Sequence, residues 1–143
     1  MRIFKAALTV TLIFLVLDLL WLGVVGSRIY SENLGDLRAK DVVWVAAGLF
    51  YVQYVVVVVG YAVLPAQTVR QAALRGLGIG WVAYGTYELN NWAVITDWPA
   101  ALVPIDITWG LVLTTSCAAI GRLVAGPPPA GDVVGTVESA PAS

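Results

Sequence analysis

Residues 42–64 read VVWVAAGLFYVQYVVVVVGYAVL, an apolar run without a single charged residue. A helix that crosses the hydrocarbon core of a bilayer needs about 20 mostly apolar residues. The Val55–Val59 run by itself would suit a strand, but the length and unbroken hydrophobicity of the whole segment predict a spanning helix. Three further segments qualify on either side: residues 6–25, which hold Asp18; residues 72–95, which hold Glu88; and residues 99–123, which hold Asp106. Composition agrees with this reading. Of 143 residues, 59% are hydrophobic and 12% are charged, and the mean hydropathy is +0.84. Soluble domains run near ~45–50% apolar and ~25% charged, so this chain lacks the polar groups to cover a water-facing surface. The expectation is an all-α membrane protein with four transmembrane helices in one bundle.

The four spans and their short connections fill residues 1–125, which predicts a single domain. Residues 126–143, GPPPAGDVVGTVESAPAS, are rich in Pro, Gly, Ala and Ser and read as a disordered tail. Asp97 followed by Pro99 reads as a helix start, with a capping acceptor and then proline in the first turn. Pro104 is expected to kink the last helix near Asp106. The N-terminus has some marks of a secretory signal, with Arg2 and Lys5 before an apolar core and Ser27 after Val24, Val25 and Gly26. Asp18 and Trp21 interrupt the apolar region where a signal peptide would keep it pure, so the segment reads as the first span. Orientation follows the Lys/Arg bias of short loops. Arg2, Lys5, Arg70, Arg75 and Arg122 fall on one side, against Arg28, Arg38 and Lys40 on the other. Both termini are therefore expected in the cytoplasm.

A formal charge of −1 gives no field to gather nucleic acid. The chain has no histidine and one cysteine, Cys117. This excludes disulfides within the chain, His-ligated haem, His or paired-Cys zinc sites, and Ser-His-Asp or Cys-His catalysis. No cofactor and no metal is expected. Chemistry falls to carboxylates, aromatic side chains, amides and hydroxyls.

Ionisable side chains within a span cost ~2.5–3.5 kcal/mol each and usually face a bundle interior or water. Counting ~1.5 Å per residue places Asp18, Glu88 and Asp106 each ~10 Å below the outer surface, in one layer. Tyr51 and Tyr54 fall slightly deeper by the same count. Tyr84, Tyr87, Glu88 and Asn91 form one stripe at helical spacing. Asp18–Trp21 and Asp106–Trp109 repeat an Asp-x-x-Trp pattern in helices of opposite direction, a hint of an inverted repeat. Trp44, Trp92 and Trp98 read as interfacial anchors. Gly76 and Gly80 form a GxxxG, the mark of a close helix contact.

The motifs Asp18-x-x-Trp21-Leu22-Gly23, Tyr30-x-x-x-Leu34-Gly35, Phe50-Tyr51-x-x-Tyr54, Pro65-Ala66, Tyr84-x-Thr86-Tyr87-x-x-Asn90, Asp97-Trp98 and Asp106-x-x-Trp109-Gly110 occur in this order. Together they resemble a family of small bacterial membrane proteins catalogued as domain of unknown function 2177, over roughly residues 5–123. The resemblance implies a multi-pass protein of the bacterial inner membrane. It assigns no activity. Glu88 departs from the pattern, which has Asp after the Thr-Tyr pair.

The expected function is binding or transport of a cationic or amphipathic small molecule, coupled to proton exchange on the acids. The expected wall is Asp18, Trp21, Tyr51, Tyr54, Tyr84, Tyr87, Glu88, Asn91, Asp106 and Trp109, since carboxylates beside aromatic faces suit a cation. Four helices are few for a transport path, so a homo-oligomer in the lipid bilayer is expected. Two other readings use the same residues. In one, Asp18, Glu88 and Asp106 are acid–base catalysts of an intramembrane enzyme that modifies a lipid or isoprenoid. In the other, the acids pair with a larger partner and the chain is an accessory subunit. The acids also read as structural glue between helices.

Overall fold

The structure, a computed structural model, describes residues 1–35 and 41–129. Five α-helices are present among the described residues: α1 (Arg2–Leu20), α2 (Ser27–Leu34), α3 (Trp44–Val57), α4 (Val69–Val94) and α5 (Leu102–Ala125). No strand occurs among the described residues, and Val55–Val59 is helical throughout. Two wider π-helical segments extend the long helices, Trp21–Gly26 after α1 and Val58–Val63 after α3. In the second, the wider turn points Val58, Val59, Ala62 and Val63 all into the core. The expected disordered tail lies outside the described residues from 130 onward.

Among the described residues, three helices are long and apolar enough to cross a membrane: Arg2–Val24, Trp44–Val63 and Leu102–Ala125. The fourth expected span, α4, has 26 residues but a more polar composition. Thr68 caps it by accepting a hydrogen bond from the Gln71 amide at 3.1 Å, while Gln71 Oε1 accepts from the Gln67 amide at 2.6 Å. That exchange fixes the start of α4 three residues ahead of the expected one.

Helix α5 is the hub. Its buried face runs through Asp106, Gly110, Thr114, Cys117, Ala118, Gly121 and Arg122, and it packs against α4, α1 and the Val58–Val63 segment. The α4–α5 contact is the tightest, as the GxxxG spacing predicts. A Cβ on Gly76 would lie 2.7 Å from Ala118 Cβ, and one on Gly80 would lie 2.6 Å from the Gly110 carbonyl oxygen. Only missing side chains let the two backbones approach this closely. On the other side, Ala6, Val10 and Phe14 of α1 are fully buried, so the first segment is part of the core.

Helix α3 packs differently. It meets α4 through its π-helical end, and over Trp44–Val57 only Tyr54 is buried. The two helices therefore diverge from that end and leave a cleft between them.

Two expectations about the α4–α5 turn are corrected. Asp97 does not cap α5: the N-cap is Ala101, without a side-chain bond, and Asp97 adopts φ +61°. Pro104 does not kink α5, because the helix starts at Leu102 and Pro104 sits in its first turn, where an amide hydrogen has no intrahelical partner. The connection after the first span also contains a helix, α2.

Candidate functional site

The cleft between α3 and α4 forms a cavity of about 540 Å³. Helix α3 supplies Phe50, Gln53, Tyr54 and Val57. Helix α4 supplies Ile79, Ala83, Tyr84 and Tyr87, at the i, i+4, i+5, i+8 positions of one helical face. Tyr30 and Asp106 complete the described wall, and Asp106 is the one carboxylate among the described wall residues.

Each acid has a hydroxyl or indole donor from a different element. The Tyr51 phenol donates to Asp18 Oδ2 at 2.6 Å, and the Tyr30 phenol donates to Asp106 Oδ1 at 2.7 Å. Trp21 Nε1 donates in turn to the Tyr30 oxygen at 3.0 Å, so an indole–phenol–carboxylate chain joins the end of α1 to α5 through α2. Gly26 makes this chain sterically possible, since a Cβ there would lie 2.8 Å from the Tyr30 ring and 3.0 Å from Trp21 Nε1. Glu88 is fully buried; its Oε2 accepts from Trp98 Nε1 at 3.1 Å, and its Oε1 has no partner among the described residues. Glu88 and Asp106 lie within interaction range of each other.

The packing behind the wall residues Tyr54 and Tyr84 is equally determined. Thr114 Oγ1 donates to the Gly110 carbonyl at 2.6 Å and accepts from the Tyr54 phenol. Gly110 carries no side chain where the Tyr84 ring lies against α5, and any Cβ there would run into that ring. Phe14 of α1 backs the α3 wall, with its ring centroid 4.6 Å from Tyr54 and 5.2 Å from Tyr51.

Of the expected wall residues, Tyr54, Tyr84, Tyr87 and Asp106 line the cavity. Asp18 and Tyr51 pair with each other behind it, and Trp21 and Trp109 stack on each other at 4.5 Å. Glu88 is held beneath Trp98, and Asn91 is half-buried one turn farther along α4. Trp98 is therefore more than an interfacial anchor. The Tyr51 phenol reaches Asp18 directly. Sequence reasoning missed Tyr30, Phe50, Gln53, Val57, Ile79 and Ala83 as wall residues. Tyr30 carried a signal, since it begins one of the motifs quoted above.

Comparison with curated proteins and with solved structures gives no match. The family described as "Predicted membrane protein (DUF2177)" matches residues 3–123, and the chain, which also carries that family's motifs in order, belongs to it.

Proposed function

We propose that the protein spans the bacterial inner membrane four times, with both termini in the cytoplasm, and binds a lipophilic cation in the cleft between α3 and α4. The fourth crossing is α4, whose 26 residues would measure ~39 Å. Its charges suit a span: Arg70 and Arg75 lie in its first two turns, and Glu88 is buried against protein. The Lys/Arg bias supports the orientation.

The observation that carries the ligand reading is the makeup of the cavity wall. Its volume of about 540 Å³ falls in the range of small-molecule sites, ~300–1,000 Å³. Five aromatic rings and apolar side chains surround one carboxylate, and the described wall residues include no Lys or Arg. Such a wall favours a bulky cation through cation–π contact and ion pairing, and disfavours an anion of the same shape. Divergence of α3 from α4 would let the ligand enter sideways from lipid. Proton exchange on Asp106 and Glu88 could then couple ligand release to transport, in a homo-oligomer.

The test uses tetraphenylphosphonium and tetraphenylborate, which share a shape and differ in sign. Purified protein in neutral detergent should bind the cation and ignore the anion. Asp106→Asn should weaken cation binding at least tenfold while the protein stays folded by melting temperature. Equal binding of both ions, or unchanged binding by the folded Asp106→Asn variant, would sink the proposal.

The nearness of Glu88 and Asp106 favours one further reading, an enzyme that moves a proton on a lipid or isoprenoid double bond. Two neighbouring carboxyl groups can divide acid and base roles. That reading predicts an altered lipid profile in a deletion strain, restored by the native gene and not by one encoding Glu88→Gln.

A further inference from the structure

At the end of the molecule opposite the acids, basic residues gather. Residues 1–10, 60–78 and 115–129 build this end, and they contain Arg2, Lys5, Arg70, Arg75 and Arg122 without any Asp or Glu. Two of these arginines tie the helix ends together. Arg2 Nη2 donates to the Leu64 carbonyl at 2.7 Å and its Nε donates to the Gly126 carbonyl at 3.2 Å. Arg122 Nε donates to the Ala66 carbonyl at 2.7 Å and its Nη2 donates to the Gln67 carbonyl at 2.6 Å.

Carbonyl partners offset a guanidinium charge only in part, as the partial charge at a helix C-terminus is about half a unit. The one ion pair among the described residues, Arg28–Glu32, lies at the other end. Arg122 is only 5% exposed, and Arg2 is near enough to repel it. Each guanidinium keeps further N–H donors in its planar fork, the geometry that suits phosphate oxygens.

Beside Arg2 lies a second cavity, of about 610 Å³ and separate from the acidic cleft. Its wall includes Arg2, Ile3, Gly60, Leu64, Gln67 and Pro128. One side is cationic and polar, and the rest is apolar.

We propose that this cavity binds the phosphate headgroup of an anionic phospholipid, with Arg2 as the direct donor and Arg122 adding charge behind it. The apolar surroundings favour a lipid over a free anion. Ile3 and Phe4, 66% and 70% exposed, continue from the cavity rim onto the outer face of α1, where acyl chains would lie. A soluble phosphate would use the cationic wall alone. Basic pockets between spanning helices on the cytoplasmic side are suited to such headgroups.

The test is thermal melting of the full-length protein in neutral detergent with added phosphatidylglycerol, phosphatidylcholine or sn-glycerol 3-phosphate. Phosphatidylglycerol should raise the melting temperature by several degrees, the other two should not, and added salt should shrink the effect. Arg2→Gln should lose the preference and Arg2→Lys should keep part of it. If Arg2→Gln proves too unstable, native mass spectrometry of the unaltered protein should show phosphatidylglycerol retained over phosphatidylcholine, and rising ionic strength should erase the difference. Equal stabilisation by phosphatidylcholine, an unchanged preference in Arg2→Gln, or equal retention of the two lipids would overturn the proposal. A shift with glycerol phosphate as large as with the lipid would overturn it as well, because the site would then serve a soluble anion.

Discussion

The indoles of Trp21 and Trp109 stack face to face, with centroids 4.5 Å apart and planes within 8°. Each ends an Asp-x-x-Trp segment, and Arg2 bonding to Gly126 shows that α1 and α5 run in opposite directions. The repeated motif thus becomes a paired contact, and each flanking aspartate takes a phenol from elsewhere: Asp18 from Tyr51, Asp106 from Tyr30.

The pair is unequal in its hydrogen bonding. Trp21 Nε1 donates to Tyr30, whereas Trp109 Nε1 is buried with no partner among the described residues. The same substitution should therefore cost different amounts. Trp21→Phe loses a hydrogen bond and ring area, while Trp109→Phe loses area and removes an unsatisfied donor. A difference of about 1 kcal/mol is expected, with Trp109→Phe the milder. Melting curves of the two variants in the same detergent check this, and equal losses would mean that Trp109 has a partner of its own.

Glycines 110 and 48 should respond in opposite ways to alanine. At Gly110 a Cβ meets the Tyr84 ring, so Gly110→Ala must displace that ring or part α4 from α5, at about 1–3 kcal/mol. At Gly48 nothing lies within 4 Å, and alanine should gain up to about 1 kcal/mol of helix propensity. Melting temperatures should move down for the first and not down for the second.

Tyr30→Phe should cost about 1–3 kcal/mol, because it strips Asp106 and Trp21 Nε1 of one shared partner. Gly26→Ala should cost a comparable amount by forcing Tyr30 away from Trp21. If the two act through the same chain, the double variant should lose less than the sum of the single losses. Full additivity would separate them.

Lipid makes its demands in a language the sequence displays directly, which is why residues 42–64 and 99–123 were legible as helices at once. The acids were legible for the same reason: a carboxylate in an apolar run has to be held by something. What holds it was less visible. Trp98, which donates to Glu88, directly follows Asp97 with its positive φ, and no spacing rule reports that turn. Helix α2 is short and polar, and its anchoring comes from Tyr30 reaching α5, a contact between residues 76 positions apart. The cleft itself was out of reach, because it depends on α3 diverging from α4 and leaves no periodic trace.

The Arg28–Glu32 pair should matter little. Its atoms are 2.7 Å apart at i, i+4 spacing, but the side chains are 83% and 59% exposed. Exposed pairs of this kind contribute about 0.3–0.5 kcal/mol. Glu32→Gln should shift the melting temperature by no more than about a degree.

Glu88→Gln offers the sharpest test of what the buried acid is for. Glutamine keeps an oxygen for Trp98 Nε1 and places an amide where Oε1 now has no partner. With Asp106 nearby and no cation among the described wall residues, removing one ionisable group should relieve repulsion rather than leave a hole. If Glu88 serves only to hold Trp98, the variant should melt at or above the temperature of the native protein and retain any ligand binding. Glu88→Ala, which empties the space and strands the indole donor, should lose about 2–4 kcal/mol. A Glu88→Gln variant that is fully stable yet inactive in transport or lipid modification would give the carboxyl a role in moving protons. One that is as unstable as Glu88→Ala would show that the negative charge itself, through a bound cation or a missing partner, holds this part of the bundle together.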